Sequence, residues 1–301
     1  MSSLHILNGT ATLDLFRKSG IKGEVVVWNE ILSEGPTLVD IASEDFRSTR
    51  QTYTAQAFMS SGYDDIVWGI WNVLNSGQPF DEIICWYEYD LFCQVNFMAM
   101  IHWLSENRPD GKLSIVCSGL NDSDRLVGLG ERAPDEYNSL LKQKVTLTNA
   151  QKKEASQVWK CYCSEQHDQL LHISQRSSLP YLHEALAAHV RRFPWTTDGL
   201  SEHQRMILSW VKEGVTSQRQ LVGKCLRNNG YYGFGDLQYF NMIDTLDSYI
   251  DWENEALSEL GMEAIDGSIN PGALPTATTY GGASTASFKF DPDLKHLTPC
   301  Q

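Results

Sequence analysis

The chain reads as an α/β protein. Its N-terminal part is a mostly parallel, doubly wound (Rossmann-like) sheet, followed by a helical middle segment and a C-terminal winged-helix-like α+β domain. Three observations predict this. Short β-branched runs alternate with helical patterns from Leu4 to Cys117, the signature of strands joined by crossover helices. Beyond about residue 145 the pattern becomes polar and helical. Beyond Gly199, three short helical patterns precede two β-like pieces. The expected units are 1–145, 146–198 and 199–301.

In order, residues 4–9 form a buried strand ending at Asn8-Gly9, and 10–19 a helix stopped by Gly20. Residues 24–28 are a valine-rich strand, and 30–36 a loop. Helices cover 43–60 and 64–75. The strand 82–87 runs into a helix from Leu91 to about Glu106, and 112–117 is a further strand. Residues 148–172 read as one long polar helix and 182–192 as another, with no clear strand between 120 and 248. Ser201 is a plausible N-cap for a helix carrying Ile207, Leu208, Trp210 and Val211 at helical spacing. Helices 217–226 and 236–248 follow. The pieces 249–252 and 287–290 would pair as a wing, separated by a Gly/Ala/Thr/Pro-rich stretch, 267–285, that reads as a mobile loop.

Composition narrows the function classes. The 301 residues carry a formal charge of −14, which repels nucleic acid and anionic membranes over most of the surface. No apolar run nears the roughly 20 residues that span a bilayer, and no signal-peptide pattern opens the chain. The seven cysteines are odd in number and sit mostly among apolar neighbours, as reduced thiols do. A cytoplasmic protein is expected.

Candidate chemistry gathers where strands end. Ligands of open α/β sheets bind at the carboxyl ends of strands. Glu88, Asp90 and Gln94 fall at or just beyond one such junction, among Trp86, Tyr87 and Tyr89. Glu30 and Glu34 follow another, with Gly35-Pro36 holding Glu34 in a rigid turn. If the two strands are neighbours, these four carboxylates converge. They would then raise one another's pKa or hold a divalent cation, and either suits acid–base or metal-assisted catalysis. His5 lies in the first strand, and Asn8-Gly9-Thr10 turns into a helix whose N-terminus attracts anions. Against these readings, Asp90 is also a natural helix cap, Glu88 a natural partner for an arginine, and Asn-Gly-Thr a common tight turn. Cys161-Tyr162-Cys163 with His167 and His172 is too tightly spaced for an ordinary zinc site. Arg47, Arg50, Arg191 and Arg192 could bind an anionic substrate, but arginines on helices are usually just solvated.

Taken together, His5-Ile6-Leu7-Asn8-Gly9, the 30–36 loop, the 86–94 run and Gly128-Leu129-Gly130-Glu131 resemble the bacterial family called domain of unknown function 1835. Gly199-Leu200-Ser201 resembles its usual C-terminal helical partner domain. The resemblance implies a cytoplasmic bacterial protein with an N-terminal α/β domain, and no activity. The family's third motif usually reads Glu-His-Asp with an Asp before the Gln, and Asp tends to follow its Asn-Gly. Tyr89, Cys93 and Thr10 stand there instead, so a metal site built on those family residues would be weakened here.

Two functions follow. One is an enzyme or small-molecule binder acting on a polar or phosphorylated ligand, by hydrolysis or group transfer. The other is a ligand-sensing transcriptional regulator. From 201 onward there are seven basic residues (Arg205, Lys212, Arg219, Lys224, Arg227, Lys289, Lys295) against thirteen acidic ones. Phosphate contacts dominate DNA affinity, so nucleic acid is not the expected partner. A small molecule or a second copy of the chain fits better.

Overall fold

The computed structural model describes residues 2–58, 62–121, 123–267 and 277–300. Its centre is a five-stranded sheet. Strands Ser3–Asn8, Glu24–Trp28, Glu82–Glu88 and Leu113–Ser118 are parallel, and the two-residue strand Val145–Thr146 adds antiparallel to one edge. The spatial order is 24–28, 3–8, 82–88, 113–118, 145–146. The α/β expectation holds. The short edge strand, expected nowhere in 120–248, is too brief to leave a periodic signal.

Both faces are covered, as parallel sheets require. On one face Leu7, Ile84, Trp86 and Val116 meet Phe16 and Tyr137, from helices Leu13–Lys18 and Glu136–Lys142. On the other, helix Leu91–Asn107 is buried nearly all round. It is apolar on every side because helices Asn149–Tyr162 and Leu182–Val190 pack over it. One apolar cluster runs from Leu4 to Ala264, so the expected boundaries near 145 and 198 do not separate independent cores.

Several elements depart from expectation. The helix of 148–172 breaks after Tyr162 and resumes at His167–Gln169 and Leu170–Ser174. Its amphipathic face buries Trp159 and Tyr162, and the break lets His167 turn inward. Ser201 does cap helix Glu202–Lys212, in a capping box with Gln204. Helices Gln218–Arg227 and Asp236–Asp244 follow. The expected wing pairing does not form. Ile250–Asp251 pairs with Ala256–Leu257, and Phe288–Asp291 with His296–Pro299. Adjacent hairpins close shorter loops than the distant pairing would. Of the expected mobile stretch 267–285, residues 268–276 lie outside the described ones. Thr279–Gly281 joins Gly35–Pro36 in parallel and Ala283–Ser284 antiparallel. Among the described residues, no helix is long and apolar enough to cross a membrane, and all seven cysteines are free thiols.

Candidate functional site at the carboxyl edge of the sheet

From strand Ser3–Asn8 the chain moves out to Glu24–Trp28, then returns to the other side for Glu82–Glu88. The order therefore reverses between Asn8 and Glu88. Such a switch point is where ligand crevices form in open α/β sheets.

The side chains there are tightly organised. Asp90 caps helix Leu91–Asn107, its Oδ1 accepting from the Cys93 N–H at 2.8 Å. Glu88 Oε1 accepts from the Leu129 N–H at 2.7 Å. Gln94 folds back, its Nε2 donating to the Glu88 carbonyl at 2.8 Å, and its Oε1 is buried with no partner among the described residues. Asn8 Nδ2 donates to Cys93 Sγ at 3.1 Å. Asn96 Nδ2 donates to Asn8 Oδ1 at 2.7 Å and to the Glu30 carbonyl at 2.6 Å, which ties strand 3–8 to the next loop.

Glu88 and Asp90 form no ion pair among the described residues. Burial, then the neighbouring Asp90 charge, pushes Glu88 up to about 7. Burial pushes Asp90 up to about 6, against the Cys93 hydrogen bonds that hold it down. Two carboxyl groups that titrate near neutrality can donate and accept a proton in one place. Donor atoms of Glu88, Asp90 and Cys93 lie within 4.8 Å of one another and could hold a cation. Burial and both carboxylates push the Cys93 thiol far up, so cation binding would have to expel its proton.

The cluster is lidded. The Leu91 and Phe92 N–H groups donate to the Tyr231 and Tyr232 carbonyls at 2.7 and 3.3 Å. Cys93 and Gln94 donate to Asp90. The first three N–H groups of that helix, Leu91 to Cys93, are thus taken, and Gln94 makes the first bond of the helix itself. Gly233, at φ +70°, lies so close that a Cβ there would sit 2.3 Å from Asp90 Cγ. At Gly128 a Cβ would sit 2.7 Å from Glu88 Oε2. Tyr89 meets Tyr181 and Tyr231 edge-on at the rim.

Glu30 and Glu34 do not join the Glu88–Asp90–Cys93 cluster. Strand Ser3–Asn8 separates the two strands that were to be neighbours, placing them about 10 Å apart. Glu30 is fully buried in an ion pair with Arg50, its Oε1 accepting from Arg50 Nε at 2.8 Å and its Oε2 accepting from Tyr63 at 2.6 Å. Arg50 also binds the carbonyls of Ile31, Glu34 and Pro36, and so pins the whole loop. Glu34 pairs with Arg192 at 2.5 Å. Burial pushes its carboxyl up, and Arg192 partly offsets this. Arg50 and Arg192 are thus not solvated cations. They are buried scaffold charges.

His5 projects from the opposite face. Trp86 Nε1 donates to its Nδ1 at 3.0 Å, which places the proton on Nε2, 3.3 Å from the Lys22 carbonyl. Both nitrogens are used, so His5 is a core residue. Gly9, at φ +88°, leads into a 3-10 turn, Thr10–Thr12, that continues as the six-residue helix Leu13–Lys18, and Thr10 is exposed without a capping bond. No long helix N-terminus faces an anion there. Cys161 donates to the Gln166 carbonyl and Cys163 meets Thr37, so the two thiols face different neighbours. Cys93 and Asn96 were missed as site residues. Polar Gln94 and Asn96 inside an otherwise apolar helix were the available signal. No family model matches the chain, and no curated protein matches it either.

Proposed function

We propose that the chain binds a small polar molecule and acts on it by general acid–base catalysis, as a hydrolase or group-transfer enzyme. Glu88 and Asp90 are the acid–base pair, and Asn8, Cys93 and Gln94 orient them. The observation that carries this is a close pair of carboxyl groups at the switch point with no ion-pair partner among the described residues, which burial pushes up to about 7 and about 6. A phosphorylated ligand would be repelled by them unless a divalent cation accompanied it. Entry requires displacement of the Tyr231–Gly233 loop from Asp90. A cytoplasmic setting agrees with the free thiols.

The test is a metabolite panel read by thermal shift and turnover, with and without magnesium or manganese, on wild type, Glu88→Gln and Asp90→Asn. The expected result is a ligand whose turnover falls at least about 100-fold in either variant. Turnover unchanged in both would overturn the assignment.

A second reading is favoured by one observation. Three helices followed by the hairpin Ile250–Asp251/Ala256–Leu257 keep a winged-helix-like order. Helix Gln218–Arg227 exposes Arg219 and Arg227, but Asp236–Asp244 carries acid at both ends and no base. A regulator would show duplex binding in a mobility-shift titration at about 50 mM salt. The charge distribution argues for none.

A further inference from the structure

A cavity of about 340 Å³ lies among residues none of which belongs to the switch-point cluster. That volume is at the lower end of ordinary small-molecule sites. Helix Glu44–Phe58, the Glu34 loop, the helices after Ser201 and the segment 277–286 surround it. Tyr53, Phe58, Phe234 and Tyr280 give it aromatic walls. Its only charged lining residues, among those described, are Glu34 and Arg192, and they pair with each other. The guanidinium lies over the Tyr280 ring, 3.7 Å from its centre.

The polar groups have a definite sense. Glu34 Oε1 is taken by Arg192, while Oε2 has no hydrogen bond among the described residues. Gln204 and Gln238 spend their Oε1 atoms on the Ser201 and Gly235 N–H groups, at 2.9 and 2.7 Å. Their Nε2 donors have no partner among the described residues. The lining thus offers a carboxylate acceptor and amide donors among aromatic side chains, and its one cation among the described residues, Arg192, is paired with Glu34 although its Nε has no partner there. The Glu34 loop is held in place. Gly35, at φ +72°, sits where a Cβ would lie 2.5 Å from the Tyr53 ring, and Gly35–Pro36 is clamped by Thr279–Gly281.

We infer that this cavity binds a neutral, flat nitrogen heterocycle with a lactam edge, guanine in type. Its ring N–H and amino groups donate to Glu34 Oε2. Its carbonyl accepts from a glutamine amide. Its ring stacks between the aromatic walls. Adenine presents a ring lone pair where guanine presents N–H, so it would set that lone pair against the Glu34 carboxylate. A phosphate finds no free cation in the lining.

Calorimetric titration of the full chain with guanosine, adenosine and guanosine monophosphate tests this. Guanosine should bind saturably, and adenosine at least about tenfold more weakly, because an unpaired polar edge is rejected. The monophosphate should bind no tighter than guanosine. Met242→Trp, which enlarges a half-buried lining residue that takes no part in the ion pair, should weaken guanosine binding by at least about tenfold. Circular dichroism confirms that the variant is folded. No saturable guanosine binding to wild type, equal affinity for adenosine, tighter binding of the monophosphate, or binding unmoved by Met242→Trp in a folded protein would each overturn the inference.

Discussion

Two carboxylate groups sit at the same edge of one sheet and meet opposite fates. After strand Glu24–Trp28, Glu30 and Glu34 are each matched by a buried arginine. After strand Glu82–Glu88, Glu88 and Asp90 face backbone N–H groups and each other, with no ion-pair partner among the described residues. In the first region the charges are structural, because Arg50 spends its remaining donors on the loop's own carbonyls. In the second, burial without compensation lifts both groups toward neutrality. Position on the sheet edge does not separate scaffold from chemistry here. The counter-charge does.

The sharpest way to break the comparison is to remove a counter-charge. Arg50→Met leaves Glu30 buried and unpaired, and should cost about 3–5 kcal/mol in urea unfolding. A cost under about 1 kcal/mol would mean that Glu30 is not compensated by Arg50. The switch-point pair should behave in the opposite way. Glu88→Gln removes no ion pair, and above pH 7 it should stabilise the fold by up to roughly 3 kcal/mol. The sign follows from the raised folded-state values. The protonated groups are fully accommodated below about pH 4, and the folded state loses stability as pH rises through about 6 and about 7. Buried histidines act with the reverse dependence. Burial lowers His167 to about 4 and His203 to about 3, so their contribution is lost as pH falls below the ordinary histidine value of about 6.5. The difference between wild type and Glu88→Gln isolates the carboxylate, and it should grow from pH 4 to 7. A flat difference would equate the two regions. A smaller effect sharpens the role of Asp90. Asp90→Ala should lose about 1 kcal/mol of helix capping that Asp90→Asn retains.

Much of the fold was legible in the sequence because strand and helix periodicities are local. Strand 24–28 and helix 91–107 stand close to where their patterns placed them. What failed was non-local. Strand order is set by which apolar faces meet, and it put Ser3–Asn8 between the two carboxylate-bearing strands. Nothing in the composition around Arg50 or Arg192 marks those arginines as buried, since their partners lie 20 and 158 positions away. The pairing of Gly35–Pro36 with Thr279–Gly281 is similarly invisible locally. Asp90 as a cap was legible, because a cap is read within four residues.

The central claim is that Glu88 and Asp90 titrate near neutrality while the other region's carboxylates serve as scaffold. Carboxyl carbon-13 NMR of glutamate- and aspartate-labelled protein tests it most directly, with Glu88→Gln and Asp90→Asn used for assignment. The expected result is one glutamate midpoint near 7 that vanishes in Glu88→Gln, and one aspartate midpoint near 6 that vanishes in Asp90→Asn. Midpoints for both residues in the ordinary range of about 3.5 to 4.5 would contradict the account.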